Sequence, residues 1–133
     1  MFVNISDNIK CILVDFDNTI VYTDEANFLS YKEAFEKNCN KKFLYYSNNR
    51  FDKNELIKNF CFDKEKINKI INYKNRIYKK YIDYTKVNYE LLTFLSNVKI
   101  PIYICTNANC DRVDLLLNYH RLSFYKGIFF NKN

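Results

Sequence analysis

The sequence predicts an α/β fold, in which a Rossmann-like parallel sheet carries an inserted α-helical cap. Two apolar runs, residues 11–14 and 102–105, show no polar alternation, which is typical of strands buried on both faces of a parallel sheet. Helical patterns stand between the predicted strands, so right-handed crossovers should connect them. A long helical stretch, residues 24–86, separates the two runs, and this predicts the insertion.

Periodicity and capping residues predict four elements in the first part of the chain. They are a strand over 11–16 and helices over 25–38, 53–60 and 64–84. Asp24 and Asp63 are suitable N-caps for the first and third of these helices. The third is the longest and carries an apolar stripe at helical spacing. Residues 39–50 have no clear period.

The second part of the chain alternates between helix and strand. Asn88 is a suitable N-cap for a helix that ends near Val98, before the break at Pro101. A strand over 102–105, a helix over 110–119 and a short strand over 127–130 follow. Only three strands can be recognised, so the predicted sheet is truncated.

The predicted domains differ in charge. A discontinuous core, residues 1–23 and 87–133, has six basic and six acidic residues, whereas the cap, residues 24–86, has 15 basic and nine acidic ones. The whole formal charge of +6 therefore lies on the cap. A basic lid would attract phosphate esters electrostatically, and a solvated helix face explains the same charge equally well. A nucleic-acid surface is a remote alternative, because no recognition motif accompanies the lysines and tyrosines.

The five cysteines are an odd number without a CxxC pair, and the sequence has no signal-peptide pattern. No apolar run approaches 18 residues. These features predict a reduced, cytoplasmic protein without a disulfide framework or a membrane span. Each cysteine is expected to serve as a small buried hydrophobic residue.

Two carboxylates, Asp15 and Asp17, stand at the end of the first predicted strand. Burying them costs solvation unless a partner compensates. Mg²⁺ favours carboxylate and phosphate oxygens, and ligands of open α/β sheets bind at the carboxyl ends of the strands. We therefore expect a magnesium and phosphate site here, although an Asx-turn in which Asp and Asn bond the backbone would suit the same residues.

The segment Asp15-Phe16-Asp17-Asn18-Thr19 resembles the first motif, DxDxT, of the haloacid dehalogenase-like (HAD) phosphatases. Residues 101–109, PIYICTNAN, are similar to the second motif of that family, an apolar strand ending in Ser or Thr. Either motif alone also fits an ordinary strand with a polar end. The two occur in the family's order, separated by a helical insert of suitable size, and the resemblance extends over nearly the whole chain.

The resemblance implies a Mg²⁺-dependent phosphatase that forms a phosphoaspartate. Asp15 would be the nucleophile and a metal ligand. Asp17 would be the general acid and then the general base, with its backbone carbonyl on the metal. Thr106, with backbone N–H groups near Asn18 and Asn107, would hold the phosphoryl oxygens. A cap inserted after the first motif implies a small phosphorylated metabolite as substrate: a sugar, amino-alcohol or nucleotide phosphate.

Two motifs of the family have no counterpart in these residues. One is a lysine after the third strand, for which Lys126 and Lys132 are wrongly placed, and the other is an acidic pair after the fourth strand. The first strand would then be an apolar sheet edge, which invites pairing. We expect a missing C-terminal segment, a second chain or a homodimer partner to cover it. A truncated, non-catalytic relative that binds phosphate or a partner chain is the alternative.

Overall fold

The computed structural model describes residues 5–44, 50–60 and 62–131. Its contacts divide the chain into two compact units. The first comprises Met1–Tyr22 and Lys86–Asn133, and the second comprises Thr23–Thr85. The second unit is therefore an insertion between two segments of the first.

In chain order the elements are β1 (Ile12–Val14), β2 (Val21–Tyr22), α1 (Asp24–Cys39), α2 (Lys53–Asn59), α3 (Lys64–Ile77), a 3-10 helix (Tyr78–Tyr84), β3 (Lys86–Val87), α4 (Tyr89–Ser96), β4 (Ile102–Thr106), α5 (Cys110–Tyr119) and β5 (Gly127–Phe130). No helix among the described residues is both long and apolar enough to cross a membrane. The part of the prediction on residues 45–49 and Cys61 lies outside the described residues.

The first unit contains a parallel three-stranded sheet in the order β1-β4-β5. Ile12 is in register with Ile102, and Ile104 with Ile128. The α/β fold with a parallel Rossmann-like sheet is thus confirmed. Among the described strands β1 has only β4 as a neighbour, so it forms one edge of the sheet.

One face of this sheet is buried and the other is open. Val14 and Ile104 are buried together with Val113 of α5, whereas Leu13 is 62% exposed and Phe129 is 58% exposed. The expectation that β1 is buried on both faces is therefore wrong for this chain. The reason is topological: two right-handed crossovers that step in the same direction across a sheet place both of their helices, α4 and α5, on the same face.

A second, two-stranded sheet pairs β2 with β3 antiparallel, which the sequence did not predict. Strands of two residues are too short to show a periodicity. Asn88 strengthens this pairing, because its N–H donates to Ile20 O at 2.8 Å and its Nδ2 donates to Thr19 O at 3.0 Å. The chain leaves the first unit and returns to it through this pair of strands.

Several predicted caps are present. Asp63 Oδ1 accepts from Lys66 N at 2.8 Å, and Asn88 Oδ1 accepts from Leu91 N at 3.2 Å. Two details were wrong: Asp24 is the first residue of α1 and Thr23 is its N-cap, and the long helix becomes a 3-10 helix after Ile77. The buried residues of this segment, Tyr78 and Ile82, are four positions apart, which is also the spacing of an α-helix, so the apolar pattern did not separate the two.

The second unit has a core of aromatic and aliphatic side chains from its helices and from the segments between them. The Tyr31 and Phe51 rings meet edge to face at 5.1 Å, and Phe43 contacts Phe51 in the same way at 5.4 Å. Lys74 is a buried basic residue of this unit. Its ammonium group lies 5.0 Å from the centre of the Tyr31 ring. This aromatic core makes the inserted unit a compact body of its own.

Candidate active site

A tight turn follows β1 and fixes the backbone of the DxDxT segment. Phe16 O accepts from the N–H groups of Thr19, Ile20 and Val21, at 3.2, 2.9 and 3.3 Å. Asn18 has a φ of 59°, a left-handed conformation that Asn tolerates better than most residues. Its N–H donates to Val21 O at 2.7 Å. The Asn18 amide proton is thus used by the turn, and the phosphate-binding role expected of this residue stays a prediction.

Asp15 lies at the mouth of a cavity of about 370 Å³ at the carboxyl end of the parallel sheet. Its Oδ1 accepts from the following amide, Phe16 N–H, at 2.8 Å, which fixes one carboxylate oxygen. The end of β4 contributes Thr106 and Asn107 to the same cavity. Cys105, which precedes Thr106, also lines the cavity, as do Phe129, Phe130 and Asn131, which sequence reasoning did not place here.

Thr106 connects this cavity with the start of α5. Its side chain is buried, and its Oγ1 accepts from Ala108 N–H at 3.0 Å. Accepting this bond leaves the hydroxyl proton able to donate. Asn109 then caps α5 by accepting from Arg112 N at 3.1 Å. The first amides of α5 follow directly, and helix N-termini favour anions.

Asp17 lies in a different environment, only two residues further along the chain. Its side chain is 6% exposed and forms a bidentate ion pair with Arg112, whose side chain is 9% exposed. Nη1 of Arg112 donates to Oδ1 of Asp17, and Nη2 donates to Oδ2, both at 2.7 Å. Parallel bonds of this kind are among the strongest that side chains form.

Sequence reasoning missed Arg112. The signal was a basic residue beside the inward-facing stripe of α5, which consists of Val113, Leu116 and Leu117. A buried position next to an apolar stripe is unusual for arginine, which is rarely fully buried unless it is paired. The pattern could have indicated a buried acidic partner, but it could not have identified which one.

The metal-binding residues are incomplete in the described part of the chain. No group of three or more His, Cys, Asp or Glu side chains there could hold an ion. Mg²⁺ often takes only one or two protein carboxylates and completes its shell with water and phosphate. The Asp15 carboxylate fits that requirement, whereas the Asp17 carboxylate already has a cationic partner.

The described cysteines give no sign of a thiol nucleophile. Cys11 and Cys110 are exposed free thiols and Cys39 and Cys105 are half-buried ones, so the expectation that each cysteine is a buried hydrophobic residue is wrong for these four. Desolvation and, next, the carboxylates of Asp114 and Asp111 raise the pKa of the Cys110 thiol. A raised pKa lowers the thiolate population. Cys110 is therefore a poor candidate nucleophile.

This chain is similar in fold to solved structures of HAD-superfamily proteins. A protein described as a predicted phosphatase from Clostridium acetobutylicum superposes with a TM-score of 0.78 at 20% sequence identity. The match covers 92% of this chain and 61% of that protein. A haloacid dehalogenase-like hydrolase from Streptococcus pneumoniae superposes with a TM-score of 0.73 at 18% identity, covering 93% of this chain and 62% of the other.

A HAD-hydrolase from Bacillus subtilis, solved bound to magnesium, has a TM-score of 0.61 at 17% identity. The match covers 91% of this chain and 64% of that one. This chain thus spans about three fifths of the length of these structures. No family model and no curated protein matches the sequence. At such identities the likeness shows the fold, and the chemistry has to be argued from the side chains.

Proposed function

We propose that this chain carries the phosphoryl-transfer site of a phosphatase that hydrolyses a small phosphate monoester. The observation that carries the proposal is the cavity shared by Asp15, Thr106 and Asn107. It sets a carboxylate beside a hydroxyl group at the carboxyl end of a parallel sheet, and α5 begins four residues after Thr106. An anionic phosphoryl group needs a nucleophile on one side and hydrogen-bond donors on the other.

In the proposed reaction the free oxygen of Asp15 attacks phosphorus. The Asp15–phosphorus bond forms as the bond from phosphorus to the leaving alkoxide breaks. Asp17 enters this step protonated, on an oxygen lone pair that Arg112 does not occupy, and gives that proton to the alkoxide. Water then attacks the phosphoaspartate, Asp17 takes a proton from the water, and inorganic phosphate and the Asp15 carboxylate are released. Thr106 and the first amides of α5 hold the phosphoryl oxygens throughout.

The proposal includes Mg²⁺ as cofactor. The Asp15 carboxylate and the Asp17 backbone carbonyl would hold the ion, which would neutralise charge on the phosphoryl oxygens and on the nucleophile. Arg112 limits what else can bind the ion, because its guanidinium group occupies both oxygens of the Asp17 carboxylate. Ligands from outside these residues would complete the metal site.

Full activity would need a further polypeptide segment, which would supply the lysine and the acidic pair that are not recognised in these residues. Two surfaces of the first unit are open to it: the outer edge of β1, and the sheet face with Leu13 and Phe129. A second copy that pairs edge to edge leaves that face bare, and one that packs face to face leaves the edge bare. A strand that pairs with β1, followed by a helix that packs on the open face, covers both the edge and the face.

This need for a covering segment has a test in the isolated chain. The open face should make it self-associate, and Leu13→Lys should reduce that association in sedimentation experiments. Tyr89→Lys, which changes an equally exposed side chain on α4, is the matched control and should have no effect. A chain that stays monomeric at all concentrations would contradict the proposal.

The substrate class follows from the charge of the inserted unit. Its net positive charge would attract a small phosphorylated metabolite, such as a sugar, amino-alcohol or nucleotide phosphate. Free thiols suit a reducing, cytoplasmic setting. A second candidate is a non-catalytic phosphate-binding protein, favoured by the incomplete acidic site among the described residues.

Phosphate release separates the two candidates. A panel of small phosphate esters would be offered with and without Mg²⁺ to the chain and to Asp15→Asn. Release that requires Mg²⁺ and is lost in Asp15→Asn is the expected result for a phosphatase. If both proteins are inert while inorganic phosphate still binds, and Thr106→Val weakens that binding, the chain is a phosphate-binding relative instead.

A further inference from the structure

We infer that Arg112 is the positioning residue for Asp17, which it holds in one fixed orientation for proton transfer at the phosphoryl site. For its catalytic consequence the inference rests on the proposed function. The pair itself is a property of the fold and can be tested without any activity. Nothing in the motifs of the sequence assigned a role to Arg112.

The geometry favours orientation over simple charge balance. Each guanidinium nitrogen takes one carboxylate oxygen, at 2.7 Å in both cases. Two parallel bonds between planar groups fix both the position and the plane of the carboxylate, which a single ammonium group cannot do. The lone pairs that remain on Asp17 then have defined directions, and a proton can be exchanged only along them.

Both members of the pair are anchored by their own elements. The backbone N–H of Arg112 donates to the cap residue Asn109, and Val113 next to it is buried against the sheet. Asp17 is part of the turn in which Asn18 N–H donates to Val21 O. Neither side chain is held by a flexible loop, so the pair connects two rigid parts of one unit across 95 positions of sequence.

The pair also gives a permanent cation to a carboxylate two positions from the proposed nucleophile. Asp15 and Asp17 are two residues apart, and two carboxylates near one phosphoryl group repel it and each other. Arg112 balances one of them within the protein. Orientation remains the main role, because a charge elsewhere in the unit would not fix the plane of Asp17.

The test is chemical rescue of Arg112→Ala, measured as steady-state phosphate release with Mg²⁺. We expect kcat to fall about 100-fold while KM changes by less than about threefold, since a ligand that orients a reacting group contributes roughly 10–100-fold. Added guanidinium should raise the kcat of Arg112→Ala at least about tenfold. Methylammonium should restore little, and Arg112→Lys should remain close to Arg112→Ala, because neither ammonium group can form both bonds.

Lys99→Ala removes an exposed cation of the first unit, outside the positively charged insertion, and is the matched control, which should leave kcat and KM unchanged. If Arg112→Ala keeps wild-type kcat, or if methylammonium rescues it as well as guanidinium does, Arg112 is not a positioning residue. A wild-type chain that releases phosphate would leave the proposed function intact in either case.

If the wild-type chain is itself inert, the pair is tested by thermal unfolding of Arg112→Met, Asp17→Asn and the double variant. A positioning pair predicts that Arg112→Met lowers Tm far less in the Asp17→Asn background than in wild type. Guanidinium should also raise the Tm of Arg112→Ala specifically. That outcome would keep the fixed orientation of Asp17 and reject only the proposed activity. If the Tm losses of the two single variants add up in the double variant, Arg112 and Asp17 do not interact.

Discussion

The two aspartates of the DxDxT segment lie in opposite surroundings. Asp15 lines an open cavity beside Thr106, and one of its oxygens is held by a backbone amide. Asp17 is buried, with both of its oxygens held by Arg112. A two-residue step thus separates a carboxylate that lines the cavity from one that a buried ion pair holds in place. The turn around Asn18 makes this difference, because it reverses the chain immediately after β1.

The largest expected effect on stability comes from breaking the buried pair. Asp17→Asn leaves the Arg112 cation buried without its anionic partner, which should reduce the free energy of unfolding by about 3–5 kcal/mol. Asp15→Asn should change it by less than about 1 kcal/mol, because Asp15 lines an open cavity. Urea denaturation of both variants measures the contrast. Equal losses would mean that the two carboxylates do not differ as described.

The turn provides the next test. Asn18→Val places a β-branched residue at a φ of 59°, and this should cost about 1–2 kcal/mol of stability. Asn18→Gly is the control, because glycine adopts this conformation without strain and should be close to neutral. Denaturation midpoints would show the difference. If valine and glycine behave alike, the left-handed turn does not hold the two aspartates apart.

An exposed ion pair in the second unit gives the smallest effect. Lys80 pairs with Glu33, and Tyr81 OH donates to the same Glu33 oxygen at 2.7 Å. The hydrogen bond from Lys80 lowers the pKa of Glu33, although desolvation opposes it. Burial and, next, the bond to Glu33 raise the pKa of Tyr81 to about 12. Because Lys80 is largely exposed, the pair should contribute less than about 1 kcal/mol.

The pH dependence of this exposed pair has a definite sign. A carboxyl group whose pKa is lowered in the folded state stabilises the fold above its unfolded pKa, and that contribution is lost as the pH falls through the folded value. Glu33→Gln should therefore lower Tm slightly at neutral pH. Its Tm should converge with that of the wild type in acid, below the usual pKa of a glutamate. A difference that persists in acid would contradict this origin.

The sequence predicted the local elements of the first unit well. The helix over 110–119 and the strand over 127–130 begin and end where the structure has α5 and β5. Local patterns were sufficient there, because Asn109 caps the helix and apolar residues recur at helical spacing. The parallel order of the sheet followed from the alternation of strands and helices.

Long-range features were not predictable. The exposure of Leu13 depends on which side of the sheet α4 and α5 cover, and no local pattern at β1 encodes that. The pairing of Asp17 with Arg112 joins positions 95 residues apart and rests on side-chain geometry alone. The motif located the carboxylates, but it did not show that one of them already has a cationic partner.

The most direct test of phosphoryl transfer at Asp15 is to look for the covalent intermediate. Asp17→Asn, incubated with acetyl phosphate and Mg²⁺ and then acid-quenched, would be digested and analysed by mass spectrometry. Removing the general base should slow hydrolysis, so a phosphoryl group should accumulate on the peptide that contains Asp15. It should be absent from the double variant that carries both Asp15→Asn and Asp17→Asn. A phosphoryl group on another residue, or none at all under conditions in which the wild type releases phosphate, would contradict the account.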